Sequence, residues 1–309
     1  MDDTRRTSHP EFEKPDFAYE TQPKLEVRIC HLCGGAYFTV VSKRDRYGFP
    51  ARASLCNRCG LGFLDTVMTQ EAYASFYASV YRPLVSFFHQ RRIDAETIKV
   101  DQRSYAKNLA DLIRPYVDDC HARSLLDIGG STGVVALDVA SAFGMKATVV
   151  DPSPAETAEA RRSGLTVIQG MIEEIEFGYE RYDLVLLCQT VDHLLDVAGT
   201  LRKIRSIISK GGLLFLDIVD WESALRLAGC VEVAIKIDHP YYFTEGTIEA
   251  LLARSGLRPL RKDYPSDGLH VGYVCDVCKP DAAAMPSSRS VERLLSQIRC
   301  LKTSNRRPR

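Results

Sequence analysis

The run LLDIGGSTGVV, residues 125–135, decides how the rest of the chain is read. Leu125, Leu126 and Ile128 make an apolar strand, Asp127 stands just before its end, and Gly129, Gly130 and Gly133 break it into a tight turn. Apolar residues then resume with Val134 and Val135, as they would in a helix packed on the strand. A strand, a glycine turn and a helix in that order bring backbone close to a nucleotide, since a position without Cβ admits a ligand where other residues collide. The dinucleotide fingerprint G-x-G-x-x-G is not met, because Ser131 and Val134 stand where its second and third glycines belong. The pattern present is acid-x-Gly-x-x-x-Gly, formed by Asp127, Gly129 and Gly133, and a carboxylate at that strand end can hold a cationic amino group.

Strand and helix alternate from Ser124 onward. SLLDI, KATVVD, LTVIQG, YDLVLLCQ and GGLLFLDIVD read as strands, with helices between them and a further helix in TEGTIEALLARSG. LRPLRKDY and HVGYVCDV close the series as strands. Repeated βα units of this length imply a parallel sheet covered on both faces, with its ligand at the carboxyl ends of the strands. Asp151 ends the second strand, followed by Pro152, where a carboxylate can accept the hydroxyls of a ribose. Met171 and Ile172 follow the third strand and offer apolar contact to an adenine face, while Cys188 and Gln189 end the fourth beneath the pocket.

The chain has 10 cysteines, and four are grouped. Cys30-His-Leu-Cys33-Gly and Cys56-Asn-Arg-Cys59-Gly are two C-x-x-C-G knuckles carried by the β-prone runs VRI, YFTVV and ARASL. Four thiolates at this spacing predict a closed, structural Zn²⁺ site with no position left for catalysis. Cys275 and Cys278 have knuckle spacing inside a strand pattern without a following glycine, which predicts thiols rather than ligands. Cys120, Cys188, Cys230 and Cys300 are isolated and read as packing residues.

Residues 69–118 read as helical, with Tyr73, Phe76, Tyr77 and Tyr81 at helical spacing and with Tyr77, Tyr81 and Arg82 at a break before Pro83, placed to line a pocket. Val291, Leu294, Leu295, Ile298 and Leu301 give the C-terminal segment one apolar face, expected to dock on this chain or on a second copy in a homodimer. The resulting expectation is a disordered stretch 1–23, a zinc ribbon 24–66, a helical linker 67–118, a core domain 119–280, and a helix with a basic tip 281–309. Of the 309 residues, 45% are hydrophobic and 26% charged, with 40 basic against 40 acidic. Zero net charge gives no electrostatic drive toward nucleic acid or anionic lipid. No apolar run is long enough to span a membrane and the N-terminus lacks an apolar leader, so a cytoplasmic location is the expectation.

The set Asp127/Gly129/Gly133, Asp151 and YDLVLLCQTVDHL resembles the class I S-adenosylmethionine-dependent methyltransferases over roughly residues 110–278. That resemblance implies an α/β, Rossmann-like seven-stranded sheet whose last two strands form an antiparallel hairpin, preceded here by the Cys₄ ribbon and helical linker. It implies S-adenosyl-L-methionine as cofactor, with Asp127, Gly129, Gly130 and Gly133 at its methionine end, Asp151 and Pro152 at the ribose, Met171 and Ile172 at the adenine, and Cys188 and Gln189 below. The order ribbon, linker, core and Asp238-His239-x-x-Tyr242 further resembles the sugar C-methyltransferases of deoxysugar biosynthesis, although this chain stops where those proteins continue into another α/β domain. That second resemblance implies a sugar or sugar nucleotide acceptor, with His193, His239 and Asp238 as catalytic residues and a histidine as general base. The alternatives are methylation of oxygen or nitrogen on another metabolite, an rRNA or tRNA methyltransferase that docks RNA on its ribbon, and a non-catalytic binding protein. Against RNA stand the zero net charge and the absence of an Asn/Asp-Pro-Pro-aromatic motif or a Pro-Cys nucleophile.

Overall fold

The computed structural model describes residues 12–117 and 122–304, so Cys120 and the basic tip lie outside the described residues. Five short strands come first: β1 (Lys24–Glu26), β2 (Phe38–Ser42), β3 (Ala53–Cys56), β4 (Gly62–Leu64) and β5 (Thr66–Met68). Three helices follow, α1 (Gln70–Ser79), α2 (Tyr81–His89) and α3 (Lys99–Ile113). The alternating part runs β6 (Ser124–Ile128), α4 (Val134–Phe143), β7 (Lys146–Asp151), α5 (Pro154–Arg162), β8 (Thr166–Gln169), β9 (Tyr182–Leu187) and α6 (Val197–Ile207). It continues through β10 (Ile208–Val219), α7 (Trp221–Ala228), β11 (Tyr241–Tyr242), α8 (Glu245–Ser255), β12 (Leu257–Asp263) and β13 (His270–Val277), and α9 (Ser288–Ser304) comes last.

Seven strands form one sheet in the order β12-β13-β10-β9-β6-β7-β8. The five from β8 to β10 are parallel, and β13 lies antiparallel to both β10 and β12, which is the closing hairpin expected from the sequence. Successive strand residues face opposite sides, and the burial follows. Leu125, Leu184, Leu186, Leu213 and Phe215 pack with Leu109, Ile113, Val139 and Phe143 of α3 and α4. Leu126, Ile128, Val185, Leu187, Leu214 and Leu216 pack on the other side with Leu201 and Ile204 of α6 and Ile248 and Leu251 of α8. Helix starts are fixed by caps, Asp196 accepting from Gly199 N for α6, Asp220 from Ser223 N for α7, and a Thr244/Thr247 capping box for α8.

The ribbon is not a separate module. β2, β3 and β4 form an antiparallel sheet whose fourth member is β11, with Tyr241 opposite Phe63 and Tyr242 opposite Gly62. VRI, expected as a strand, is irregular, because β1 pairs one step earlier with β5. The expected helical stretch is three helices, interrupted at Val80 rather than at Pro83, since a proline in the first turn of a helix removes no intrahelical hydrogen bond. The expected disorder of residues 1–23 does not hold for the described part: Tyr19 is 1% exposed and packs with Phe17 and Phe49. The aromatic face of this segment buries apolar area that its polar neighbours conceal in a composition-based reading. α9 docks on this chain, where Leu294 and Ile298 join Trp221 and Leu225 of α7 and ribbon residues Val41 and Leu55. No helix among the described residues is long and apolar enough to cross a membrane.

Trp221 stacks on Tyr242, with ring centroids 5.2 Å apart, directly over Gly62, where an added Cβ would lie 2.5 Å from the indole. Gly62→Val is therefore expected to destabilise the fold by about 1–3 kcal/mol through overpacking, read from the urea unfolding midpoint. An unchanged midpoint would show that the indole has room to move.

Candidate functional site

A cavity of about 390 Å³ opens at the carboxyl ends of β6, β7, β8 and β9 and is roofed by α1, α2 and α3. Its floor is the glycine turn. Gly129 has φ +72°, and a Cβ there would strike the Thr190 side chain at 2.4 Å, while a Cβ on Gly130 would lie 2.8 Å from an Asp127 carboxylate oxygen. Thr132 donates to Gln102 Oε1 at 2.7 Å and so ties the turn to α3.

Asp127 lies on the cavity wall, 1% exposed, and neither of its carboxylate oxygens has a hydrogen-bond partner. Burial, with the Asp151 charge adding to it, pushes its carboxyl up to about 8. A buried carboxylate without a partner is costly, and a cation placed beside it would relieve that cost. Asp151 is treated differently. Its two oxygens accept from Ser131 N at 2.9 Å and Ser153 N at 2.8 Å, which orients the group while leaving lone pairs toward the cavity. Burial and then Glu156 push it up to about 7 against those backbone bonds.

Pro152, Met171, Ile172, Cys188 and Gln189 also line the cavity, as their positions at the strand ends predict. Gly133 does not. Its φ is +77° and a Cβ would lie 2.4 Å from Leu165 and 3.1 Å from Ala160, so this glycine serves the packing of α4 against α5 rather than a ligand. The helical linker contributes Tyr77, Tyr81 and Arg82, the last paired with Glu156. Tyr105 of α3 donates to Asp217 Oδ2 at 2.9 Å, and Asp217 Oδ1 in turn accepts from Gln189 N. Nothing in the local pattern marks Gln102, Tyr105 or Glu156, because their partners are remote in sequence.

The two histidines are brought together, with ring centroids 4.5 Å apart, but they do not share the cavity. His193 is on its wall; His239 and Asp238 lie behind it. Placing all three at the reacting centre, as the sequence reading did, is therefore corrected for His239 and Asp238. Their side chains are buried at the junction with the ribbon, where Asp238 Oδ2 sits 3.6 Å from His239 Nε2 and Asp192 Oδ2 sits 3.8 Å from Nδ1. His193 Nδ1 is 3.0 Å from the Tyr77 hydroxyl, which is also 3.4 Å from the Asp238 carbonyl. If the phenol donates to that carbonyl it accepts from Nδ1–H, and the His193 Nε2 lone pair is then free. Burial pushes the His193 imidazole down to about 4, so it is neutral at pH 7.

The four knuckle sulfurs converge. Cys30 and Cys59 Sγ are 3.4 Å apart, Cys33 and Cys56 Sγ 3.5 Å, and all four lie within 4.8 Å of one another. Tetrahedral zinc with bonds of about 2.3 Å requires sulfur edges of about 3.8 Å, so the donor set fits the ion. Cys275 is buried in β13 and Cys278 lies past its end, apart from this group.

A family model described as a methyltransferase domain matches residues 80–262. A ubiquinone biosynthesis O-methyltransferase of Methylocella silvestris is 35% identical over 97 residues, which are 29% of this chain and 38% of that protein. An uncharacterized protein of Mycobacterium tuberculosis is 28% identical over 154 residues, 48% of this chain and 52% of its own length. The chain thus spans about half or less of the length of these curated relatives. Among solved structures, magnesium protoporphyrin IX methyltransferase from Synechocystis PCC 6803 with bound SAH superposes with a TM-score of 0.50 at 14% identity, over 68% of this chain and 100% of that one. The likeness is one of fold.

Proposed function

Because the chain belongs to the methyltransferase-domain family, we propose that its cavity binds S-adenosylmethionine and that methyl transfer is to a hydroxyl of a small, uncharged acceptor. The unpartnered, buried Asp127 carboxylate over the glycine turn carries this reading: it is a ready site for the ammonium of the donor's methionine end. Asp151, oriented by two backbone amides, would take the ribose, and Met171 and Ile172 would pack on the adenine. When bound, S-adenosylmethionine supplies a methyl on a sulfonium, whose C–S bond breaks as the C–O bond forms while the acceptor's proton is lost. His193 takes that proton at Nε2, and burial in a water-poor wall keeps it neutral beforehand. The roof of Tyr77, Tyr81 and Arg82 excludes water and orients the acceptor, and orientation of this kind contributes about 7–11 kcal/mol.

The sugar reading narrows accordingly. The permanent cation among the described lining residues, Arg82, is already paired with Glu156, while Asp101, Asp127, Asp151 and Glu173 are acids. Such walls suit the hydroxylated ring of a sugar or a phenol and disfavour drawing a nucleotide diphosphate inside. The similarity to O-methyltransferases of ubiquinone biosynthesis supports oxygen as the methylated atom. For the ribbon, we propose structural zinc on Cys30, Cys33, Cys56 and Cys59.

At pH 7 the Asp127 carboxyl, raised to about 8, holds its proton, and an ammonium beside it favours the carboxylate. Donor binding is therefore expected to expel protons below about pH 8 and to cease doing so above it. Calorimetry at pH 7 in two buffers of different ionisation enthalpy checks this, and buffer-independent heats would remove Asp127 from the site. Asp127→Asn is expected to weaken donor binding by about 1.5–3 kcal/mol.

His193→Ala is expected to lower kcat by about 10²- to 10⁴-fold with donor affinity unchanged. The assay is incubation with methyl-labelled donor and a cell extract split into small-molecule, RNA and protein fractions. Label in small molecules that pass an anion exchanger supports the proposal, retention there would point to a nucleotide sugar, and label in RNA would sink it. Metal analysis is expected to find one tetrahedral zinc per chain, lost in Cys56→Ser; a folded, metal-free wild-type protein would overturn that assignment.

A further inference from the structure

Behind His193, the structure holds a cation that the transfer as described leaves unused. Lys236 is half-buried and places Nζ 3.3 Å from His239 Nε2. An ammonium has only protons to give, so this contact makes Nε2 an acceptor and leaves the ring hydrogen on Nδ1, the side facing Asp192. The segment has little freedom to drift. The Tyr242 hydroxyl accepts from Lys236 N at 3.2 Å and donates to Lys236 O at 2.9 Å. Ile237 is held at both ends, its N–H by Asp45 Oδ2 at 3.2 Å and its carbonyl by the Tyr73 hydroxyl at 2.8 Å. Tyr242, Asp45 and Tyr73 thus fix the backbone that carries the ammonium beside the imidazole, whose ring meets His193 edge to face.

We propose that Lys236 is a positioning residue for methyl transfer: its ammonium fixes His239 in the Nδ1–H tautomer and, as a positive charge behind both rings, keeps His193 unprotonated and able to take the acceptor's proton. This rests on the reading of His193 as the base. The charges facing the pair are mixed. Asp192 and Asp238 favour a charged imidazole, Arg46, Arg82 and His270 oppose it from the ribbon, α2 and β13, and the Tyr77 and Tyr81 hydroxyls complete the enclosure. Lys236 is the cation in direct contact, so its removal leaves the two carboxylates weakly opposed.

The test compares the wild type with Lys236→Met and Lys236→Arg, following the imidazole nitrogens of His193 and His239 by ¹⁵N NMR across pH together with the pH profile of kcat. In Lys236→Met both the His193 midpoint and the acid limb of kcat are expected to rise by about one pH unit. Lys236→Arg is expected to keep the wild-type values. A lowered kcat with midpoints unmoved would make Lys236 merely structural and overturn the proposal. The wild type supplies a readout that needs no variant to fold. Burial pushes Lys236 down to about 8, so the His239 Nε2 resonance should shift with a midpoint near that pH as the ammonium is lost. No shift between neutral pH and well above that midpoint would also overturn it. Full turnover by His193→Ala would overturn the base reading separately, whatever the imidazoles do.

Discussion

Two paired residues, Tyr241 and Tyr242, hold the molecule together. They form the edge strand β11 of the ribbon's sheet, yet they belong to the segment between α7 and α8 of the larger sheet. Leu64 N donates to the Pro240 carbonyl at 2.9 Å, the Tyr241 hydroxyl bonds to the Leu195 carbonyl at 2.7 Å, and His31 between the first two knuckle cysteines bonds to that same hydroxyl. The loop that carries Lys236, Asp238 and His239 is therefore tied at Tyr241 both to a cysteine knuckle and to the turn that leads into α6. The four converging cysteine sulfurs have no reacting partner beside them among the described residues. What the knuckles contribute to the cavity wall is a fixed anchor, delivered through a shared strand.

The cavity itself works by unequal treatment of two carboxylates. Asp127 and Asp151 stand at the carboxyl ends of neighbouring parallel strands, Asp127 opposite Val149 and so two residues short of Asp151, and both are desolvated. Asp151 is given two backbone amides and Asp127 none. One is thereby held in a fixed orientation, and the other is left buried without a hydrogen-bond partner.

Much of this was legible in the residue order, and the reasons differ. The central strands of the large sheet were readable because they are buried on both faces and so appear as apolar runs, LLDI or LVLL, bounded by turn residues. The four cysteines were readable because metal spacing is local. α7 escaped notice because its eight residues follow directly from β10 without a turn, and β11 because a two-residue strand has no period to detect. Gly133 was misread for a related reason: a glycine needed for helix packing and one needed for a ligand look alike until Leu165 is seen beside it. His239 was found by its motif but put in the wrong place, since only the fold shows that His193 stands in front of it.

The cluster that encloses Trp221 has a temporal side. It gathers Tyr19 from before the ribbon, Val41 and Leu55 from within it, Tyr73 and Phe76 from α1, and Leu294 and Ile298 from α9. During synthesis the N-terminal segments emerge first and would ordinarily settle first. Here the ribbon's own underside is covered by α7 and α9, which leave the ribosome well after it, so the ribbon must wait for segments far downstream. The ribbon strands spend that interval as unprotected edges, and a bound metal would be the one local constraint able to hold them in register meanwhile.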